Sequence, residues 1–354
     1  MKGLVLCGGR GTRLRPLTYT FPKQLIPVAN RPILSYVFDH LAAARIKEVG
    51  VIVSPETGAA VQDFLGDGTN WHTKISYIMQ NEPLGLAHAV KIAREFLNDE
   101  PFVMYLGDNL LQDGITAALN TFSTENVDAL IMLKPVKNPS AFGVAVLSEK
   151  GDIVRLVEKP KNPPSNLALV GVYLFSPKIH QVIETLRPSA RNELEITDAI
   201  QALIEQGARV KPVIVEGWWL DTGKKDDLLD ANHLVLNTYC PRAIAGTVAR
   251  SELIGNVSVA PDARIVDSKI YGPTVIGAGV VVEGSTVGPF ASIGNNCTIQ
   301  ASHIEGSVVL EKSTIIGVNR ITRSLIGRQV KVRANPEKEH DLRLLLSDSS
   351  EVEL

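Results

Sequence analysis

Short apolar runs alternate with amphipathic stretches over the first two-thirds of the chain. Residues 3–7, 49–53, 75–79, 102–106, 129–133 and 153–157 read as strands, most of them apolar at successive positions, as buried strands are. Residues 32–44 set Ile33, Val37, Leu41 and Ala44 on one helical face, and residues 85–97 form a second helix candidate. A helix running through Leu203 has Thr197 or Asp198 available as its N-cap. The alternation predicts an α/β fold, a doubly wound and mostly parallel sheet with helices on both faces. Ligands of such sheets gather beyond the carboxyl ends of the strands. Residues 8–15 and Asp108 fall at such ends.

Near residue 240 the pattern changes. Aromatic residues thin out, and aliphatic positions recur every 17 residues. Val259, Ile276, Ile293 and Leu310 form one file; Ile265, Val282, Ile299 and Ile316 a second; Ile270, Val287, Ile304 and Ile321 a third. Three aliphatic corners per coil, six, six and five residues apart, predict a hexapeptide-type parallel β-helix of triangular section. A sandwich of alternating strands predicts period two and no such phase. The phase runs unbroken to about Val332 and is lost after it. The remaining tail is charged; Leu342, Leu344, Leu345 and Leu346 suit one short capping helix, and a mobile or partner-docking end is the other reading. The expected division is 1–240, 241–334 and 335–354.

Composition narrows the function classes. The chain has 354 residues, 45% of them hydrophobic, and a formal net charge of −2 with no long run of one sign. That argues against an obligate nucleic-acid partner. Three scattered cysteines, at 7, 240 and 297, show neither metal spacing nor a disulfide framework. The apolar start is too short for a signal peptide, and no uncharged stretch is long enough for a membrane span, so a cytoplasmic location is expected.

The chemistry concentrates after the first strand, in Gly8-Gly-Arg-Gly-Thr-Arg-Leu-Arg-Pro16. Glycines let the backbone come close to a ligand, and successive N–H groups in such a turn form an anion-binding concavity. Arg13 adds a planar fork of donors suited to phosphate. A dinucleotide turn would need glycine where Leu14 stands, and no Walker string occurs. Lys23 follows in a loop stiffened by Pro22 and Pro27. Asp108 and Asp221 each end an apolar run, where a lone carboxylate is costly. A Mg²⁺ ion, which takes one or two carboxylates with phosphate oxygens, resolves that cost; a turn or cap aspartate is the plainer reading of either alone.

Together, Gly8–Pro16 and the later Pro22-Lys-Gln-Leu-Ile-Pro-Val28 resemble the opening of the sugar nucleotidyltransferases, and the resemblance covers nearly the whole chain. It implies a Rossmann-like catalytic domain, a left-handed β-helix and a homo-oligomer. It also implies nucleotidyl transfer from dTTP, or UTP, to a hexose 1-phosphate such as glucose 1-phosphate, a step toward deoxysugars. In this family aspartates matching Asp108 and Asp221 hold Mg²⁺. The glutamate matching Glu158 binds sugar hydroxyls, and the lysine matching Lys159 contacts the sugar phosphate. Arg13, Lys23 and Lys159 are the expected catalytic cations. Gly8, Gly9, Gly11, Thr12, Gln24, Gln80 and Gly85 are expected on the nucleotide, with Gln24 resembling the branch that uses dTTP. Gly143, Gly171 and Trp219 are expected around the sugar, although Trp219 also suits a core position. Glu193 and Glu195 are secondary sugar or structural candidates. The other class of enzyme to weigh is an acyltransferase seated in the solenoid; His303 is the one histidine in residues 241–334 to serve it.

Overall fold

Strand Lys2–Leu6, buried along its whole length, lies inside a nine-stranded sheet. It pairs in parallel with Glu48–Val53 on one side and Phe102–Leu106 on the other, and Glu48–Val53 pairs in parallel with Lys74–Met79. Beyond Phe102–Leu106 the sense reverses. Leu167–Phe175 runs antiparallel to it, and Ala129–Pro135, Gly143–Leu147 and Ile153–Glu158 continue with antiparallel pairs. The reason is connection length. Parallel neighbours need a crossover, which the helices Ile33–Ala43 and Leu86–Ile92 supply, whereas residues 143–175 hold strands with no helix between them.

The computed structural model describes residues 1–9, 11–19, 21–334, 341–342, 344–348 and 350–353. It divides into two compact units, Met1–Arg10 with Leu34–Asp221, and Gly11–Ile33 with Thr222–Leu354. The sheet unit ends at Asp221. In it Phe102, Met104, Ile131, Tyr173 and Phe175 pack with Ile179, Ile183, Ala199 and Ile200 of helices Lys178–Thr185 and Ile196–Glu205. Each fully buried isoleucine, methionine or phenylalanine among them contributes about 1.5–3 kcal/mol. Two local expectations are corrected. The helix expected over 85–97 is two, Leu86–Ile92 and Arg94–Leu97, separated at Ala93 (φ −84°, ψ 3°). Helix Ile196–Glu205 begins after extended Glu195, so Thr197 and Asp198 lie in its first turn instead of capping it. The Thr197 hydroxyl is engaged elsewhere, donating to Glu158 Oε2 at 3.2 Å.

The second unit contains the solenoid. Its strands, mostly three residues long, stack in three parallel sheets with aliphatic files pointing inward. The observed files are Val259–Ile276–Ile293–Val309–Ile326, Ile265–Val282–Ile299–Ile315–Val332 and Ile270–Val287–Ile304–Ile321. Leu310 and Ile316 are therefore not corner residues. The corner after Ile304 is one residue shorter than the corner above it, and the phase is restored between Ile315 and Ile321. The unbroken phase is therefore corrected, whereas the 17-residue interval is indeed lost after Val332. Asp341–Leu342, Leu345–Leu346 and Glu351–Glu353 add a further coil, pairing in parallel with Arg320–Thr322, Leu325–Ile326 and Lys331–Arg333. The capping helix expected at 342–346 is replaced by these strands, because the coil below offers unpaired edges that a strand satisfies and a helix does not. Residues 335–340 lie outside the described residues.

Hydroxyls line one corner of this stack. Ser251, Ser268, Ser285 and Ser302 each accept the backbone N–H of the next coil, at 3.0–3.1 Å. Also within this unit, Asn232 of helix Lys225–Tyr239 accepts from the Ala29 N–H at 2.9 Å and the Ser292 hydroxyl at 2.6 Å, and donates to the Phe290 carbonyl at 3.2 Å. Asn30 donates to the Ile293 carbonyl at 2.6 Å. The ribbon Pro27–Val28 with Arg31–Pro32 is thereby tied to the helix and to a coil of the solenoid.

Candidate active site

In the sheet unit, Gly8 follows the carboxyl end of Lys2–Leu6. A Cβ at Gly8 would lie 2.9 Å from Gln80 Oε1, so the two meet directly. Gln80 is buried, and its amide N–H groups face the Gly85 carbonyl at 3.4 Å and His88 Nδ1 at 3.0 Å. Burial, and secondly the Lys91 ammonium, hold His88 below the usual imidazole range against the pull of Glu82. A neutral ring can accept that hydrogen bond. Gly8, Gln80 and Gly85 are thus one cluster, with Gly9 exposed beside it.

The backbone packed around Gly85 requires a glycine there. Its φ is +104°, and a Cβ there would lie 2.4 Å from the Leu194 carbonyl oxygen. Gly85→Ala should lower stability by about 2 kcal/mol, from the strained φ together with the clash. Denaturant unfolding measures this, and an unchanged midpoint rules it out.

A second cluster forms where Trp219–Asp221 pairs antiparallel with Asn109–Leu111. Asp221 stands opposite Asn109, which puts Asp108 next to it at the same end of the ribbon. Asp108 is buried, and Asn109 donates to its Oδ1 at 3.1 Å. The buried Trp219 indole donates to Asn109 Oδ1 at 2.6 Å, and its ring meets Phe142 at 5.1 Å between centroids. Trp219 is therefore packed in the core, with its indole on the residue that follows Asp108. Gly171, at φ +80° in an irregular stretch of Leu167–Phe175, faces Leu106 and Asn109. Among the described residues no group of three or more metal-ligating side chains gathers. The register sets the two aspartates one residue apart across the ribbon, and one or two carboxylates are what Mg²⁺ uses when phosphate and water complete its shell.

Phe142 leads to the third cluster. Gly143 pairs with Glu158 across the strands, and the Lys159 N–H bonds the Phe142 carbonyl at 3.1 Å. Glu158 accepts from Arg191 at 3.1 Å and from Thr197, and Lys159 Nζ lies 3.5 Å from it. Arg191 also holds Glu193 at 2.8 Å and lies 3.6 Å from Glu195. Burial pushes the Glu195 carboxyl above its usual range, opposed by the Ser189 hydroxyl that donates to it. Glu193 and Glu195 are thus partners of Arg191. Arg191, Thr197 and Asn109 are functional candidates that residue identity alone did not reveal. The available signal was position: Asn109 adjoins Asp108, and Arg191 opens the acidic segment 191–198.

The remaining predicted residues belong to the second unit. Gly11 is left-handed (φ 62°, ψ 29°) at the start of the turn Thr12–Leu14, and its carbonyl accepts from the Thr18 hydroxyl at 2.7 Å. Lys23 and Gln24 lie in the turn Lys23–Leu25; Gln24 is buried, and Lys23 Cβ packs at the face where a Gly11 Cβ would project. Arg13 rests against Gly223, where a Cβ would lie 2.7 Å from Nη2. Burial pushes the nearby Asp227 carboxyl up, while Lys224 and then Arg13 pull it down.

The nucleotidyl transferase family matches residues 2–238. A glucose-1-phosphate thymidylyltransferase of Streptomyces griseus is 48% identical over 354 residues, spanning 100% of this chain and 99% of that one. The low-salt glycan biosynthesis nucleotidyltransferase Agl11 of Haloferax volcanii is 44% identical over 358 residues, 100% of both chains. A solved Bacillus anthracis chain, described as a glucose-1-phosphate thymidylyltransferase in complex with a sucrose, aligns with a TM-score of 0.63 and 35% identity over 66% of this chain and 94% of its own. With a mixed Rossmann-like sheet, a left-handed parallel β-helix after it and similarity along the full length, the chain belongs to the nucleotidyl transferase family in its long form.

Proposed function

We propose that the chain transfers a thymidylyl group from dTTP to glucose 1-phosphate, giving dTDP-glucose and pyrophosphate. The observation that carries this is the pairing of Trp219–Asp221 with Asn109–Leu111, which sets Asp221 opposite the residue after Asp108, with the Trp219 ring against Phe142. Full-length relatives with that activity in their names support it.

A phosphate monoester has its second pKa near ~6, so the sugar phosphate arrives as a dianion and needs neither a general base nor an enzyme nucleophile. Its oxygen attacks the α-phosphorus in line, and pyrophosphate leaves. The obstacle is the meeting of two polyanions, and the chain answers it with fixed cations. Arg13 and Lys23 bear on the nucleotide phosphates; Lys159 bears on the sugar phosphate. Asp108 and Asp221 would hold Mg²⁺, which when bound neutralises phosphate oxygens as a Lewis acid. Gly8, Gly9, Gly11 and Thr12 offer backbone to the triphosphate, and Gln24, Gln80 and Gly85 lie toward the base. Gly143, Glu158, Gly171 and Trp219 line the sugar.

Pyrophosphate release across dTTP, UTP, ATP and CTP with several hexose 1-phosphates tests the proposal. Release fastest with dTTP and glucose 1-phosphate supports it, and no release with that pair rejects it. Glu158→Gln should raise KM for glucose 1-phosphate about tenfold, the loss of one charge-assisted hydrogen bond. An unchanged KM removes Glu158 from the sugar site.

A further inference from the structure

Lys134, half-buried near the end of strand Ala129–Pro135, points its ammonium at three successive backbone carbonyls. It donates to Val215 at 2.9 Å, Glu216 at 2.8 Å and Gly217 at 2.8 Å. An ammonium has three N–H donors and accepts nothing, so these bonds use it fully. Carbonyl oxygens converging on one point repel one another unless a cation sits among them; rings of backbone carbonyls hold potassium in this way.

The cage lies where the chain leaves the sheet. The Val215 N–H still bonds the Leu133 carbonyl at 2.8 Å, continuing the pairing of Val210–Ile214 with Ala129–Pro135. Soon after Gly217 the chain enters Trp219–Asp221. Trp218 is fixed from the other side, its N–H donating to Gln112 Oε1 at 3.2 Å and its carbonyl accepting from the Gln112 N–H at 3.0 Å. Gly217 packs closely against the same segment, since a Cβ there would lie 2.9 Å from Gln112 Cβ.

We propose that Lys134 is a positioning residue, an internal cation that closes the cage of residues 215–217 and so sets the reach of Trp219–Asp221, holding Asp221 beside Asp108. This rests on the reading of that pair as the metal carboxylates. Groups that orient ligands from behind cost about 10- to 100-fold in metal affinity when removed.

The test uses Mn²⁺ as probe, titrated into the full chain without nucleotide and followed by water-proton relaxation. Lys134→Met keeps the stem and deletes the ammonium; its Mn²⁺ dissociation constant should rise about tenfold or more. Lys134→Ala should show the same loss and recover on addition of propylammonium, which restores the missing charge and donors. That recovery separates positioning from general weakening of the fold, and it decides the matter if Lys134→Met is poorly folded. Unchanged Mn²⁺ affinity in Lys134→Met, or no recovery of Lys134→Ala with propylammonium, overturns the proposal. Asp221→Asn, run alongside, separates the two levels. If it binds Mn²⁺ like the unsubstituted chain, the metal assignment fails and takes the role of Lys134 with it. If Asp221→Asn loses the ion while Lys134→Met keeps it, only the role of Lys134 fails.

Discussion

Replacing Asp108 with asparagine should lower kcat by about two to three orders of magnitude while leaving the fold intact. Asparagine keeps the shape of the side chain and its contact with Asn109, but removes the charge from one of the two aspartates proposed to hold Mg²⁺. Lewis-acid neutralisation of phosphate charge supplies several kcal/mol to phosphoryl chemistry, and each ~1.4 kcal/mol is a factor of ten. The stability change should have the opposite sign. Two like charges held side by side repel one another, so without divalent cation the Asp108→Asn chain should unfold at the same temperature as the parent or a higher one. Pyrophosphate release with dTTP and glucose 1-phosphate reads the first effect, and thermal unfolding in a chelator reads the second. Near-normal turnover would remove Asp108 from the chemistry; lost turnover with a much lower Tm would make it a structural aspartate.

Arg13→Ala should cost about a hundredfold in kcat, comparable to deleting one preorganised donor from a transition state. The turn Thr12–Leu14 begins from left-handed Gly11, and Gly223 leaves room for the guanidinium where any side chain would collide with it. Arg13→Lys restores charge without the planar fork, so it should recover only part of the loss. A charge-only role predicts full recovery, and measuring kcat for both variants distinguishes the two.

The solenoid and the parallel strands were legible because both are periodic. Ile265, Val282 and Ile299 recur in the sequence at the spacing at which they stack. The failures came where the period was interrupted. Leu310 and Ile316 each sit one place beyond a corner because the turn after Ile304 is short by a residue, and an aliphatic neighbour, Val309 or Ile315, takes each place. Counting from above cannot distinguish Val309 from Leu310, since both are apolar and buried. The final coil was hidden because its strands follow the stack at a longer interval than those before them. Among the candidate site residues, Gly8, Asp108, Glu158 and Asp221 stand out in the sequence because strand ends or local motifs carry them. Asn109, Arg191 and Lys134 do not. Their partners lie far away in the chain, and only the folded backbone brings Lys134 to residues 215–217 or Arg191 to Glu158.

The serine corner gives the solenoid a chemical direction. Ser268, Ser285 and Ser302 each donate a proton to a carbonyl two residues back and accept an N–H from the coil that follows. The two bonds at each serine share its hydroxyl and so polarise one another, in the same sense at every coil. A chain shortened from its carboxyl end would finish on an oxygen with open lone pairs, whereas one shortened from the other end would begin on a bare N–H. The two truncations leave opposite partial charges at their ends, so their solubility should respond differently to the same change of anion in the buffer.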